Sequence, residues 1–193
     1  MRFKCLKCGS CCRDKKTIVT LTHKDIIRIA EFLSLDERRL VRDVLIFYQV
    51  DEGLKKLLAF PSVETFRGEA IIGLRKREDG SCIFLQGNLC SIYPARPMTC
   101  RTFPFTFSVK EGWLKYGVAT KAKELCPGLN EGEEIDENQL AEIGLSAVTE
   151  LEEYSRIASL WKKVVEKSIP AIPELLVRLI LQGKDEKKIA LTH

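Results

Sequence analysis

Four cysteines stand within eight residues near the beginning of this sequence. They form the pattern Cys-x2-Cys-x2-Cys-Cys at Cys5, Cys8, Cys11 and Cys12. A Cys-x2-Cys turn directs two sulfurs towards one centre, and a third cysteine three residues later lets the chain wrap that centre. Gly9 suits a turn whose backbone must enter the left-handed conformation. This run therefore predicts thiolate ligands for a metal, in preference to structural or reactive thiols.

The other four cysteines lie further along the chain, and the fold must bring some of them back to the first run. They are Cys82, Cys90, Cys100 and Cys126. The first two each follow a predicted turn, and rigid turns commonly carry metal ligands. Taken alone these mid-chain thiols are a weak signal, because free cysteines are often simply buried. Cys126 precedes a proline, as the remote cluster ligand of bacterial ferredoxins does, although no Cys-Pro follows the first run locally.

Composition favours a globular protein in a reducing compartment. The sequence has 45% hydrophobic and 30% charged residues, which is typical of soluble domains. Because no long apolar run follows the basic N-terminus, we expect a cytoplasmic location and no membrane partner. In a reducing cytosol eight cysteines favour metal or redox chemistry. Asn and Gln total only seven, a thermophile-like scarcity, so the disulfides found in hyperthermophile proteins stay an alternative.

The net charge of +4 is concentrated near the cysteines. Residues 1–16 contain six Lys or Arg and a single Asp, and Arg96 and Arg101 flank the later cysteines. A four-thiolate site around Zn²⁺ or a [4Fe–4S]²⁺ core carries net negative charge, which nearby cations would stabilise. A solvated basic surface is the alternative, and for Arg101 or Arg96 a structural salt bridge. We do not expect nucleic-acid binding, because no aromatic-basic motif accompanies the charge.

The apolar periodicity predicts an α+β fold. It comprises an N-terminal cysteine-rich loop and helices, a small antiparallel sheet carrying further cysteines, and a C-terminal helical pair. Thr22 with Asp25 predicts a capped helix start, and Asp36 predicts the start of another helix. Periodic apolar residues predict helices at about 37–50, 137–168 and 174–182. We divide the chain into a metal-binding domain at about 1–130 and a helical extension at about 131–193.

β-branched and aromatic residues predict short strands in the middle of the chain. Gly68 interrupts the first of these, and Gly87-Asn88 predicts a tight hairpin turn. Three prolines break the region into pieces, so the predicted sheet is small and irregular. The predicted strands, with a further short one near the N-terminus, cover about residues 17–21, 64–75, 82–85, 101–109 and 113–119.

A longer motif links the two groups of cysteines. It reads Cys5-x2-Cys8-Gly9-x-Cys11-Cys12, then Cys82-x-Phe84-Leu85, then Cys90-x-Ile92-Tyr93-x2-Arg96-Pro97-x2-Cys100-Arg101-x-Phe103-Pro104. This motif, with Cys126 beyond it, resembles the CxxCxxCC (YkgJ-type) cysteine-cluster family of zinc- or iron-chelating domains. The resemblance implies all eight cysteines as ligands and Tyr93, Arg96 and Arg101 as residues around the cofactor. A related cluster occurs in flagellin lysine-N-methylases, but nothing outside the motif supports that activity here.

The ligand types leave two cofactors open, an iron–sulfur cluster and zinc. Only His23 and His193 are available, and we expect His23 at a surface or capping position, which disfavours a mixed Cys/His zinc site. One Cys-x2-Cys turn followed by isolated cysteines favours a [4Fe–4S] cluster with a remote ligand. We predict a metal-binding protein with a redox or cluster-dependent role and an unidentified redox or protein partner. The alternatives are a structural zinc module for protein or nucleic-acid interaction, and an enzyme with an open metal position.

Overall fold

The structure is a computed structural model that describes residues 1–57 and 60–183, and it has the α+β architecture that the sequence predicts. Its helices are α1 (Ser10–Arg13), α2 (His23–Leu33), α3 (Glu37–Arg39), α4 (Glu52–Leu57), α5 (Met98–Thr102), α6 (Ala122–Leu125), α7 (Glu137–Glu166) and α8 (Pro173–Gln182). Its strands are β1 (Arg2–Phe3), β2 (Leu45–Gln49), β3 (Val63–Thr65), β4 (Gly68–Leu74), β5 (Leu85–Gln86), β6 (Leu89–Cys90), β7 (Phe105–Lys110), β8 (Trp113–Val118) and β9 (Leu129–Glu134). A π-helical turn spans Leu40–Val44, and a 3-10 turn spans Tyr93–Ala95. None of the helices in these described ranges is long and apolar enough to cross a membrane.

The chain forms two compact units, which we describe separately. Unit 1 comprises Met1–Val19 and Lys76–Glu150, and unit 2 comprises Thr20–Arg75 and Leu151–His193. All eight cysteines belong to unit 1. The long helix α7 contributes residues to both units, as the bounds of the units show. The domain boundary predicted near residue 130 stays a prediction.

Unit 2 is built on a three-stranded antiparallel sheet in the order β2-β4-β3. The central strand β4 carries Ile71 and Ile72, which are almost fully buried. The predicted capping box of α2 is confirmed: the Asp25 amide donates to Thr22 Oγ1, and the Thr22 amide donates to the Asp25 carboxylate. The C-terminal helices predicted at 137–168 and 174–182 are confirmed as α7 and α8.

The helix predicted at 37–50 is wrong over its second half. Asp36 caps α3 as predicted, because its carboxylate accepts a hydrogen bond from the Arg39 amide at 2.8 Å. The helix ends after the π-helical turn, and Leu45–Gln49 forms β2, which pairs with β4. The residues Leu-Ile-Phe-Tyr-Gln suit a strand once a pairing partner is present. Long-range pairing therefore overrides the local helical periodicity.

Unit 1 contains three two-stranded antiparallel sheets among its described residues: β1 with β9, β5 with β6, and β7 with β8. The hairpin turn predicted at Gly87-Asn88 joins β5 to β6. The strands predicted from 82 and 101 begin later, at Leu85 and Phe105, because Cys82 makes only an isolated bridge and Met98–Thr102 is helical. The strand predicted at 17–21 reduces to one bridge at residue 20, in unit 2. The prediction at 64–75 resolves into the hairpin of β3 and β4.

Candidate metal centre

The front cysteine run forms a loop followed by the one-turn helix α1. The first two cysteines lie in the loop, and the adjacent pair lies on α1. Gly9 has a φ of 74°, the left-handed conformation that its place in the run predicts. A Cβ on Gly9 would lie 3.1 Å from the Asn88 carbonyl oxygen. Glycine therefore lets the run turn tightly against the β5–β6 hairpin.

Arg13 fastens the front run to this hairpin. Its guanidinium donates from Nη1 to the Cys8 carbonyl at 2.9 Å and from Nη2 to the Gly87 carbonyl at 2.7 Å. Nη2 also donates to Asn88 Oδ1 at 2.6 Å. A planar guanidinium with several donors can join two segments at once. The sequence indicates only a cation here, because a partner 74 residues away leaves no local signal.

Backbone pairing brings Cys82 beside the front run. The Cys82 amide donates to the Cys12 carbonyl at 2.8 Å. Lys76 Nζ donates to the Asp14 carbonyl at 2.7 Å, and Arg77 Nη2 donates to two carbonyls of the segment that follows Cys82. These bonds fix the loop on which Cys82 lies, and the sequence alone does not indicate this role for the two cations.

Cys126 follows α6, and the backbone beyond it meets the front loop. The Lys4 amide donates to the Gly128 carbonyl at 3.1 Å. A Cβ on Gly128 would lie 2.1 Å from the Lys4 carbonyl oxygen, so only glycine permits this approach. The adjoining strands β1 and β9 also pair. The segments that contain Cys5 and Cys126 are thus held together by the backbone.

Three thiols of the front run act on the pKa of Cys126, which indicates that Cys126 lies near them. Burial is the largest cause that raises the pKa of Cys126, and the charges of Cys11, Cys8 and Cys5 raise it further. A hydrogen bond with the Ser10 hydroxyl, 3.3 Å from the Cys8 sulfur, lowers the pKa of Cys8. Neighbouring thiolates repel one another, so they do not all ionise easily by themselves. A positively charged metal ion or cluster core would offset this repulsion and favour deprotonation of all four thiols.

Cys82 and Cys90 form a second neighbourhood that meets the first at Cys11. Burial raises the pKa of Cys82, with a smaller contribution from the charge of Cys90. Burial also raises the pKa of Cys90; the Arg96 charge opposes this rise, and the Cys11 charge adds to it. A hydrogen bond with the Cys12 side chain is the largest cause that raises the pKa of Cys11. Cys82 and Cys90 of the mid-chain group therefore lie near the front run in unit 1.

Arg96 and Tyr93 form a stacked pair near Cys90. The Arg96 Cζ atom lies 3.6 Å from the Tyr93 ring centroid, and Arg96 Nε donates to the Tyr93 carbonyl at 3.2 Å. Lys7 Nζ lies 5.4 Å from the same ring, so the pair adjoins the front loop. Their role at a cofactor stays a prediction, and the effect of Arg96 on the Cys90 pKa is consistent with it.

Arg101 and Cys100 lie on α5. Arg101 Nη2 donates to Glu150 Oε2 at 3.2 Å, and Glu150 is buried. This contact is the structural salt bridge that the sequence leaves open for Arg101. The Cys100 amide donates to the Pro97 carbonyl at 2.9 Å. The ligand role of Cys100 and the cofactor role of Arg101 stay predictions.

The donor set has the chemistry of a thiophilic metal site. None of the eight cysteines is in a disulfide, and unit 1 contains no histidine. Within the described ranges no three His, Cys, Asp or Glu side chains are arranged to hold one metal ion. Sulfur donors without histidine suit both iron–sulfur clusters and zinc. The cysteines of unit 1 therefore suit either an iron–sulfur cluster or zinc.

Comparison with known proteins agrees with this chemistry. Residues 4–127 match the CxxCxxCC family, which is described as "Putative zinc- or iron-chelating domain". The chain belongs to the CxxCxxCC family. The match contains all eight cysteines and ends one residue after Cys126. Membership therefore supports metal binding by this chain, with zinc and iron both open.

One relative is an uncharacterized protein of Methanocaldococcus jannaschii. The two sequences are 32% identical over 133 residues, which is 68% of this chain and 60% of the relative. The chain thus spans less than two thirds of the length of the relative. No solved structure matches the chain. The comparisons give the family and the class of ligand, and the fold rests on the structure described above.

Proposed function

We propose that this CxxCxxCC protein binds a [4Fe–4S] cluster through Cys5, Cys8, Cys11 and Cys126, in a redox or cluster-dependent role. The observation that carries the proposal is the junction between the Lys4 amide and the Gly128 carbonyl, at 3.1 Å. This junction ties the segment after the distant Cys-Pro to the beginning of the front run. A compact Cys-x2-Cys-x2-Cys run completed by a remote Cys-Pro is a ligand pattern of bacterial ferredoxins.

The surroundings of these thiols support an anionic site. Ser10 stabilises the ionised form of Cys8 by a hydrogen bond. Arg13 directs its positive charge at the Cys8 carbonyl, and Lys7 lies between the first two ligands in the sequence. Cations near thiolates favour the deprotonated state that metal binding requires. When bound, such a cluster supplies one-electron chemistry.

The other four cysteines are candidate ligands for a second centre. The Cys82 amide donates a hydrogen bond to the Cys12 carbonyl, and the charge of Cys90 contributes to raising the Cys82 pKa, after burial. Cys100, on helix α5, is the remaining cysteine and therefore the fourth candidate ligand of this second centre. The ratio of metal to protein distinguishes one centre from two.

The test is elemental analysis of protein purified without oxygen, together with single Cys→Ser variants. We expect brown protein with iron and acid-labile sulfide in equal amounts. Cys126→Ser and Cys5→Ser should lose most of this iron. Leu6→Ser is the matched control, because Leu6 lies in the same loop and is 49% exposed. Retention of all iron by Cys126→Ser would contradict the ligand assignment.

A structural zinc module is the second candidate, and the family description that names zinc favours it. It predicts colourless protein with stoichiometric zinc, no sulfide, and unfolding when the zinc is chelated. The same preparation therefore decides between the two candidates. Zinc without iron in protein that is kept anaerobic from lysis onward would replace the cluster proposal by the zinc module.

A further inference from the structure

The two segments that contain most of the cysteines are basic throughout. Residues 1–13 and 80–101 include seven of the eight cysteines and no Asp or Glu. They contain six cations, namely Arg2, Lys4, Lys7, Arg13, Arg96 and Arg101. Such segregation of one sign of charge creates a positive potential at the surface around the site.

Most of these cations are not engaged by carboxylates. Arg13 donates to carbonyl and amide oxygens only, and Arg96 stacks on the Tyr93 ring. Lys4 and Lys7 make no ion pair within residues 1–57 and 60–183. Arg101 is the exception, because it pairs with a buried glutamate. The charges therefore remain available to an anionic partner.

Exposed apolar side chains lie among these cations. Leu6, Leu89 and Tyr93 are 49%, 57% and 39% exposed. They belong to one surface, because Arg13 joins the front loop to the hairpin turn before Leu89, and Lys7 lies over the Tyr93 ring. We name this surface the thiol face; it consists of residues 4–7, 13, 86–89, 93 and 96.

We infer that the thiol face docks an acidic protein. Its apolar residues with a surrounding of cations have the composition of a protein interface, in which apolar contacts supply affinity and charges steer the approach. Lys4, Lys7 and Arg13 are exposed, so the carboxylates of a large partner can reach them. The docked protein would cover the exposed thiol Cys5.

The acidic strand β9 lies beside Lys4 of the thiol face. Glu131, Glu133 and Glu134 lie on this strand, which pairs with β1, and Glu134 lies 3.9 Å from the Met1 amino group. Carboxylates of a partner would be repelled there and attracted towards Lys7 and the hairpin. This asymmetry would fix the orientation of the partner, because unfavourable charge pairs exclude the reverse arrangement.

The test measures binding of a plant-type ferredoxin, used as an acidic protein probe, to the anaerobically purified full chain. We expect an affinity that falls as salt is raised, since exposed charges are screened. Replacing two cations by Lys4→Gln with Lys7→Gln should weaken binding by roughly twofold to thirtyfold at low salt. Lys110→Gln with Lys115→Gln, on the exposed β7–β8 hairpin of the same unit, is the matched control and should bind normally.

Two results would overturn the inference. One is equal binding of the probe by the wild type and the Lys4/Lys7 variant. The other is tighter binding of a single-stranded oligonucleotide than of the acidic protein at the same salt concentration. Leu6→Ser tests the apolar contribution to docking. This variant should bind the probe more weakly, and the dependence of its affinity on salt should be unchanged.

The inference rests on the proposed function only in taking the thiols as metal ligands. Metal content is therefore measured on every preparation used for binding. Docking without iron or zinc would support the thiol face and contradict the proposed function. Wild-type protein with full metal content that does not bind the probe would support the proposed function and contradict docking at the thiol face. Leu6→Ser separates the two directly, because it should keep the metal and lose affinity for the probe.

Discussion

The two units of the chain differ in how they are stabilised. Among the described residues, eleven of the twelve largest side chains that are almost fully buried belong to unit 2, and Ile92 represents unit 1. Unit 1 is held instead by short hairpins and by side chains such as Arg13, Lys76 and Arg77 that donate to backbone carbonyls. Units with few buried apolar residues commonly need a metal or another cross-link to fold. The comparison indicates that the stability of unit 1 depends on a bound metal, whereas the stability of unit 2 depends on the burial of apolar side chains.

Removal of the metal should have the largest effect on stability, and it should destabilise unit 1 but not unit 2. Structural zinc in zinc-finger peptides contributes about 10–16 kcal/mol, which exceeds the stability of many whole domains. We expect chelation to abolish amide protection in β5 to β9 while α2 and β4 keep theirs. Hydrogen exchange measured by mass spectrometry checks this. Equal loss of protection in both units would contradict the comparison.

A cavity in unit 2 should have the opposite signature. Ile72 is fully buried on the central strand β4, so Ile72→Ala should cost about 2–5 kcal/mol of unfolding free energy. Metal content should stay unchanged, because the residue belongs to the unit without cysteines. Denaturant unfolding and elemental analysis are the measurements. Phe66→Ala is the control, since Phe66 is 68% exposed and should cost little.

Substitution of Arg13 should weaken metal binding more than global stability. Arg13→Gln removes the bonds that join the front run to the β5–β6 hairpin, and residues that orient metal ligands typically affect affinity by about 10–100-fold. Competition with a chelator of known affinity measures the loss. Lys115→Gln is the matched control, because Lys115 is exposed on the β7–β8 hairpin of the same unit. Equal losses in both variants would mean that Arg13 has no special role.

The smallest expected effect lies in unit 2 and depends on pH. Glu37 accepts hydrogen bonds from Arg178 Nε at 2.9 Å and Nη2 at 2.7 Å. A bond from its own amide and then the Arg178 bonds hold the Glu37 pKa below its usual value. A depressed pKa stabilises the fold above the ordinary glutamate pKa, and this stability is lost as pH falls through the folded pKa.

Arg178→Gln should therefore lower Tm slightly at neutral pH, and this difference from the wild type should disappear at about pH 2, where glutamate is protonated. Thermal unfolding followed at both pH values checks the sign. Arg38→Gln is the control, because Arg38 is exposed on the same helix as Glu37 and makes no ion pair within the described residues. A difference that grows in acid would contradict the assignment.

Local signals in the sequence predicted the parts of the fold that depend on neighbouring residues. The α2 capping box at Thr22, the left-handed Gly9 and the extent of α7 all follow from residues a few positions apart. The helix predicted through residues 45–49 was wrong because β2 exists only by pairing with β4, some twenty or more residues later. Pairing of that kind has no local pattern.

The same limit applies to the candidate centre. The ligand types and their grouping were readable, because Cys-x2-Cys spacing has a chemical meaning by itself. The contacts that bring the groups together were not, since the Cys82 amide meets the Cys12 carbonyl and Lys4 meets Gly128 across long stretches of chain. The role of Arg13 was equally hidden, because its partners lie on a distant hairpin. The residue types were enough to predict a metal site with thiolate ligands, but they did not indicate which distant segments would meet there.

The junction of Lys4 with Gly128 has a consequence for biosynthesis. The nascent chain exposes Cys11 and its neighbours roughly 115 residues before Cys126 is translated. At about 5–20 residues per second, roughly 6–23 s pass before the ribosome adds the last thiol. During that interval the leading cysteines can meet copper or oxidants before Cys126 is present. With Cys126 as a ligand, as proposed above, we expect the metal to be loaded after translation of Gly128, and a maturation factor that shields the nascent thiols would improve the yield.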